Sequence, residues 1–249
     1  MSISIRPAHA PLIGVIFDLG GTLIYPTTTQ NDNAASLQAW LQSRDLPRDL
    51  DPAIRDARRW MWEMTQATGR QYTTQEAIRR AFAQMGLPEP DRVFVEEAER
   101  VFFQPELGGY RPFPGALQLL QRLVAARIRL ACISNSSSHW LIERIVDRMA
   151  FRPYLDMVLS SAGYGRIKPD PGIFRSVLNR WGIPPARAAM IGDTLEADIA
   201  GGRGVGMRTL YVTMTPNPDN VNHRHIIADA EAATLVEAER ILVKWLRPD

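Results

Sequence analysis

Asp18, Ser134, Asn135, Lys168 and Asp193 are the residues of this sequence whose types could combine into a reactive centre. Asp18 closes the apolar run Ile13-Gly14-Val15-Ile16-Phe17 and is followed by Leu19-Gly20-Gly21-Thr22-Leu23. Ser134-Asn135 follows a second apolar run that ends at Ile133, and Gly192-Asp193 follows a third that ends at Ile191. Lys168-Pro169-Asp170-Pro171 lies a loop beyond the apolar stretch ending near Ser160, and Asp198 comes five residues after Asp193. An ionised carboxylate is a nucleophile or a hard oxygen ligand, and two together suit a divalent cation. An ammonium, a hydroxyl and an amide together suit an oxyanion. Singly, each residue has a plainer account. Asp and Ser after a strand are commonly turn or helix caps, and a lysine is commonly a solvated surface group.

The elements around them change that balance. Ile13–Phe17 reads as a buried, parallel-type strand. From about Asn31 to Phe103 apolar residues recur at helical spacing, as in Ile54-Ala57-Met61-Met64 and Ala77-Ile78-Ala81-Phe82. After Pro114-Gly115 the pattern alternates. Helices are expected over 116–126, 139–149, 172–181, 198–204 and 232–246, and strands over 128–133, 155–160, 188–191 and 208–213. Repeated strand–helix units predict a doubly wound α/β core with a parallel sheet, Rossmann-like in plan. An all-helical insert at residues 28–111 interrupts that core, leaving 1–27 and 112–249 as its two parts. In such a sheet ligands bind in the crevice outside the carboxyl ends of the strands, which is where all four polar sites fall. Their convergence is a topological expectation that needs no relative.

The four sites also occur in a known order. Phe17-Asp18-Leu19-Gly20-Gly21-Thr22-Leu23, Ile133-Ser134-Asn135, Lys168-Pro169-Asp170-Pro171 and Gly192-Asp193 with Asp198 resemble motifs one to four of the haloacid dehalogenase-like hydrolase superfamily. The helical insert resembles the C1-type cap of subfamily I. The resemblance implies a Mg²⁺-dependent phosphatase of a small phosphomonoester, with Asp18 as nucleophile forming an aspartyl-phosphate. It implies Mg²⁺ held by Asp18, the Gly20 carbonyl and Asp193. Ser134, Asn135 and Lys168 would hold the phosphate, helped by N–H groups of the following helix start, with Thr22 and Asp198 supporting from behind. The cap would close over the crevice and select the substrate.

One position departs from the pattern. Most phosphatases of the superfamily carry a second Asp two residues after the nucleophile, as the proton donor and acceptor; this chain has Gly20. Such proton transfer is typically worth ~10²–10⁴-fold. Glu63 and Glu76 of the insert are candidate replacements, although a solvated helix face accounts for either. Haloacid dehalogenases place Tyr at this position, which Gly20 does not supply. Phosphonate hydrolases need a lysine in the insert, and no lysine precedes Lys168. Since arginine cannot form the imine, that reading is excluded. A weakly catalytic protein that keeps the phosphate and metal site for regulation is the alternative from another class.

Composition bounds the rest. Apolar residues at 45% and charged residues at 22% describe an ordinary globular chain, and a net charge of +2 gives no argument for nucleic acid. No apolar run approaches the ~18 residues of a membrane span. Met1–Pro11 lacks a secretory layout, with Arg6 its only formal side-chain charge, so a cytoplasmic location is expected. The single cysteine, Cys132, excludes an internal disulfide and a multi-cysteine zinc site, and reads as a buried, inert hydrophobe. His9, His139, His223 and His225 have no metal-ligand spacing. Arg55, Arg58, Arg59, Arg79 and Arg80 read as a solvated helix face, with an anionic substrate as the minority reading. Trp60, Met61, Trp62 and Met64 span more than one helix face, leaving core, pocket lining and a homodimer surface all open.

Overall fold

The computed structural model describes residues 10–27, 33–44, 46–47 and 50–246. The readings placed on Arg6, His9 and the first residues of the insert lie outside them. The chain enters through β1 (Gly14–Phe17), then β2 (Ile24–Pro26), then four helices: α1 (Asn33–Gln42), α2 (Leu50–Thr68), α3 (Thr74–Gln84) and α4 (Arg92–Gly108). β3 (Tyr110–Pro112) brings it back, followed by α5 (Ala116–Ala125), β4 (Arg129–Ser134), α6 (His139–Arg148), β5 (Met157–Ser160) and the one-turn α7 (Ser161–Tyr164). The remainder is α8 (Pro171–Trp181), β6 (Ala188–Gly192), a π-helical turn (Leu195–Ala200) running into α9 (Gly201–Gly204), β7 (Arg208–Val212), β8 (Ala230–Ala232) and α10 (Leu235–Trp245).

Six strands form one parallel sheet in the order β5-β4-β1-β6-β7-β8. β1 is the switch point: the chain winds outwards from it to β4 and β5 on one side and to β6, β7 and β8 on the other. Side chains alternate across the sheet, so Val15 and Phe17 of β1 pack into one buried cluster and Ile16 into the other, with Ile173, Phe174 and Val177 of α8. Both faces are therefore covered, as an all-parallel sheet requires.

Local chemistry sets the helix starts. Thr73 and Glu76 form a reciprocal capping box on α3, and Asp91 caps α4 through Phe94 N–H at 2.7 Å. Ser138 caps α6 through Leu141 N–H at 3.1 Å, and Asp170 caps α8, where Pro171 occupies the first turn. The plainer reading of the serine run is thus true of Ser138.

Three features differ from the sequence expectation. β2 and β3 pair as a two-stranded antiparallel ribbon, Ile24 opposite Pro112, that clasps the two ends of the helical segment. At three residues each they are too short for alternation to be read. The last helix starts at Leu235 rather than 232, because Ala230–Ala232 is an edge strand on β7. The helix expected from 198 begins earlier, as the π-helical turn at Leu195.

Candidate active site

β1, β4 and β6 all end on one rim, and Asp18, Ser134 and Asp193 stand there, each 7% exposed. Lys168 arrives from the loop before α8 and is itself buried. Its ammonium donates to Asp18 Oδ1 at 2.6 Å, to Asp198 Oδ1 at 2.6 Å and to the Ile133 carbonyl at 3.0 Å. All three protons are used, so the lysine is fixed as a bridge between two carboxylates.

Asp198 is fully committed by this geometry. Its other oxygen accepts the Thr194 N–H at 3.0 Å, and a Cβ on Gly192 would stand 2.2 Å from its carboxyl carbon. It thus bonds both the Lys168 ammonium and the loop that carries Asp193. Asp193 accepts from Asn217 Nδ2 at 2.9 Å, and Asn220 Nδ2 donates to its carbonyl at 2.8 Å. Neither asparagine was legible as a site residue; both belong to a Pro- and Asn-rich stretch that announces only a loop.

The Asn135 side chain bonds the backbone of Lys168. Its Oδ1 accepts the Lys168 N–H at 2.8 Å and its Nδ2 donates to the Lys168 carbonyl at 3.2 Å. The amide thus clamps the lysine's backbone, which leaves the second N–H of Nδ2 uncommitted by these bonds. The N–H groups of Ser136, Ser138 and Leu141 also bond to side-chain oxygens, so the start of α6 offers fewer donors than its sequence implies. Ser134 sits at the end of β4 in register with Ser160. Thr22 is fully buried, and its Oγ1 has no hydrogen-bond partner among the described residues.

The carboxylates crowd one another. Ligand oxygens of Asp18, Asp193 and Asp198 lie within 4.8 Å of one another. Burial pushes the Asp18 carboxyl up to about 7; Lys168 opposes this, and the charges of Asp198 and Asp193 add to it. Burial, then Asp198, push Asp193 up to about 6, against the Asn217 bond and Lys168. Burial alone would lower the Lys168 pKa, but Asp18 and Asp198 outweigh it and hold the ammonium above its ordinary value. One ammonium among three buried carboxylates leaves negative charge over, carried on hard oxygens with no histidine or thiolate in the cluster. That donor set fits a hard dication such as Mg²⁺.

The loop after Asp18 is shaped around Asp193. Gly21 has φ +74, and a Cβ there would stand 2.2 Å from Asp193 Oδ2, so a side chain is excluded twice over. Gly20 differs: it is exposed, and a Cβ would meet nothing within 4 Å. The two candidate proton donors of the insert do not fill that space. Glu76 is spent on the α3 cap and on Arg70, and Glu63 is exposed on α2; neither lines the cleft above the site.

That cleft, of about 1100 Å³, has Lys168, Asn135 and Thr194 on its core side and one stripe of α2 opposite. Loop-to-loop bonds join the two walls. Ile167 N–H donates to the Gly69 carbonyl at 3.0 Å, Gln71 N–H to the Gly165 carbonyl at 2.9 Å, and Ser161 Oγ to Gln71 Oε1 at 2.6 Å. The Trp and Met cluster divides. Met61 and Trp62 face the cleft, whereas Trp60 packs edge-on to Tyr72 with the rings 5.1 Å apart. His139 bonds Ser160 through Nδ1 at 3.0 Å, and His223 stands 3.3 Å from Glu196. Cys132 is buried, with its thiol pushed well above its usual pKa by burial and by Asp18. Among the described residues no helix is long and apolar enough to cross a membrane.

Known proteins are similar to this chain in sequence and in fold. In sequence the chain is 29% identical over 213 residues to ribulose-1,5-bisphosphate 5-phosphatase of Halopiger xanaduensis, covering 82% of this chain and 86% of that protein. It is 31% identical over 135 residues to phosphoserine phosphatase of Thermus thermophilus, a match of 54% of this chain and 52% of that one. Its fold superposes on 2-haloacid dehalogenase from Pseudomonas syringae pv. Tomato with a TM-score of 0.66 at 24% identity, over 94% of this chain and 99% of the other. The HAD phosphatase from Thermococcus onnurineus gives 0.62 at 19%, over 93% and 98%. At those identities the structural likeness speaks for the fold alone. The family pattern described as haloacid dehalogenase-like hydrolase matches residues 14–206, and with the motifs standing on the rim of such a sheet the chain belongs to that family of hydrolases.

Proposed function

We propose that the protein is a phosphatase that hydrolyses a small phosphomonoester through an aspartyl-phosphate on Asp18. The observation that carries the reading is the buried Lys168 held between Asp18 and Asp198. A lysine with no free proton donor left and two carboxylates around it neutralises a nucleophile and lies where an incoming phosphate dianion needs compensation. The phosphatase relatives support the choice of phosphorus as the centre attacked.

In the first step a carboxylate oxygen of Asp18 forms a bond to phosphorus as the bond to the ester oxygen breaks. The alcohol leaves with a proton from solvent, since Gly20 has none to give. In the second step water attacks the same phosphorus, releases inorganic phosphate and returns the Asp18 carboxylate. Ser134 holds a phosphate oxygen, Lys168 balances the phosphate charge from its place between the two carboxylates, and Asn135 acts by fixing the Lys168 backbone. Asp18, the Gly20 carbonyl and Asp193 would hold Mg²⁺, which supplies Lewis-acid polarisation of the phosphoryl group when bound. Asn217 holds Asp193 in place for this. The helices between β2 and β3 form a C1-type cap over residues 28–111, whose α2 face completes the pocket and limits water.

The test is phosphate release from p-nitrophenyl phosphate with Mg²⁺ and with EDTA, for the wild type and Asp18→Asn. Release that needs both metal and Asp18 is the expected result. Folded, Mg²⁺-binding protein with no release above Asp18→Asn would overturn the reading in favour of a regulatory binding protein.

A further inference from the structure

We propose that Arg58 receives a second anionic group of the substrate, several bonds from the phosphate that is transferred. The substrate class is then a phosphomonoester carrying a distal carboxylate or a second phosphate. This rests on the phosphatase reading and narrows it.

The arginines of α2 are not equivalent. Arg55 pairs with Asp51, and Arg59 lies 3.3 Å from Asp56, so both are ordinary surface ion pairs. Arg58, between them in sequence, makes no ion pair and no guanidinium hydrogen bond among the described residues. Its guanidinium carbon lies 3.9 Å over the Phe102 ring, and its Nε is buried without a partner. Glu106 acts on it electrostatically, but the Glu106 oxygens accept from Asn33 at 2.9 Å and Tyr110 at 2.7 Å. Arginine keeps its charge when buried, so the group is a cation without a bonded counter-ion. The other side-chain cations on the cleft are engaged, Lys168 by Asp18 and Asp198, and Arg166 by Asp170.

Its place on α2 sets the distance. Arg58, Met61, Trp62, Thr65 and Gly69 line the cleft at spacings of three and four residues, which is one helix face. The Gly69 end is bonded to Ile167, the neighbour of Lys168. Arg58 lies eleven residues up the helix from it, about 16 Å at the ordinary rise per residue. Between them the 62%-exposed Trp62 gives an apolar wall. A substrate that fills the cleft thus meets cations at both ends and an aromatic face in the middle. A planar guanidinium suits a carboxylate or phosphate equally.

The test uses three phosphomonoesters of one ten-carbon chain, long enough to approach both ends of a separation of about 16 Å, ending in a hydroxyl, a carboxylate or a second phosphate. The wild type should favour at least one anionic ester over the hydroxyl ester by about 10–100-fold in kcat/KM, as a charge-assisted bond would give. The better of the two identifies the group. Arg58→Gln and Arg58→Met should bring that ratio close to one, Arg58→Lys should keep part of it, and Arg59→Gln should keep all of it. The ratio is unaffected by loss of folded protein, which lowers both rates together. Equal wild-type rates on the three esters, or an unchanged ratio in Arg58→Gln, overturns the proposal while p-nitrophenyl phosphate turnover still upholds the phosphatase. Absence of metal- and Asp18-dependent release from p-nitrophenyl phosphate overturns both.

Discussion

The two walls of the cleft are built on opposite principles. On the core side the charges at the centre are buried and bonded: Lys168 spends all three protons, Asp198 both oxygens, and Asp193 is held by Asn217. On the α2 side the side chains project from one helix stripe, Trp62 is mostly exposed, and Arg58 stacks on Phe102 with no hydrogen bond among the described residues. A strand end surrounded by neighbours fixes a group's position, as bond-making at phosphorus demands. A helix face changes one residue at a time without disturbing its neighbours, which suits a surface that only chooses the substrate. Substitutions on the first wall should therefore register in stability and chemistry together, and those on the second in specificity alone.

The largest effect expected is from Asp18→Asn, with turnover on p-nitrophenyl phosphate down at least about 10³-fold, the order seen when a nucleophile is removed. A single-turnover assay checks it, and retained turnover would remove Asp18 from its role. Lys168→Met should follow, because it leaves the buried carboxylates without their cation. A loss of about 3–5 kcal/mol in denaturant unfolding is expected, and a variant as stable as the wild type would show that the core wall is not the tight network described. Asn217→Ala should weaken Mg²⁺ binding about 10–100-fold by freeing Asp193, read by calorimetric titration. Unchanged affinity would detach Asn217 from the metal site.

A pH experiment separates the walls further. Asp18 and Asp193 have folded-state pKa values of about 7 and about 6, above the ordinary 3.8, so the folded protein holds these protons more tightly than the unfolded chain. Their contribution to stability therefore falls as pH rises from about 4 to about 7, opposite in sign to a salt-bridged carboxylate. Lys168, with its pKa raised, stays protonated across that window. In EDTA the melting temperature of the wild type minus that of Asp193→Asn should decline from pH 4 to pH 6, and Mg²⁺ should flatten the decline. A rising difference would contradict the assigned charge state. Smallest of all, Gly20→Asp and Trp62→Ala should each alter stability by no more than about 0.5 kcal/mol, since one position is open and the other exposed. Gly20→Asp should nevertheless raise turnover on poor leaving groups more than on p-nitrophenyl phosphate. An equal rise on both would show that proton donation is not what limits the enzyme.

The core wall was largely readable from sequence because its residues follow buried strands, and an apolar run ending in Asp or Ser-Asn marks a fixed place on a parallel sheet. Asp18, Lys168 and Asp198 stand together as that topology requires. Asn135 was readable as a neighbour of the site, and only coordinates reveal that its amide also meets the Lys168 backbone. Asn217 and Gln71 carried no signal, because each comes from a loop whose return to the site depends on long-range packing. The α2 wall was least legible. Arg55, Arg58 and Arg59 look alike in sequence, and what separates them is which acid lies one turn away and which ring lies beneath.

The scarcity of lysine gives the protein a reporter already in place. Lys168 and Lys244 are its two lysines, and they differ in every respect that governs amine chemistry. Lys244 is exposed near the end of α10, whereas Lys168 is 3% exposed and kept protonated by two carboxylates. An acylating reagent needs a free, accessible amine, so besides the α-amine it should modify Lys244 and spare Lys168. Label appearing at residue 168, followed by mass spectrometry over time, would count the moments when the cluster of Asp18, Lys168 and Asp198 comes apart, with no substrate and no engineered probe.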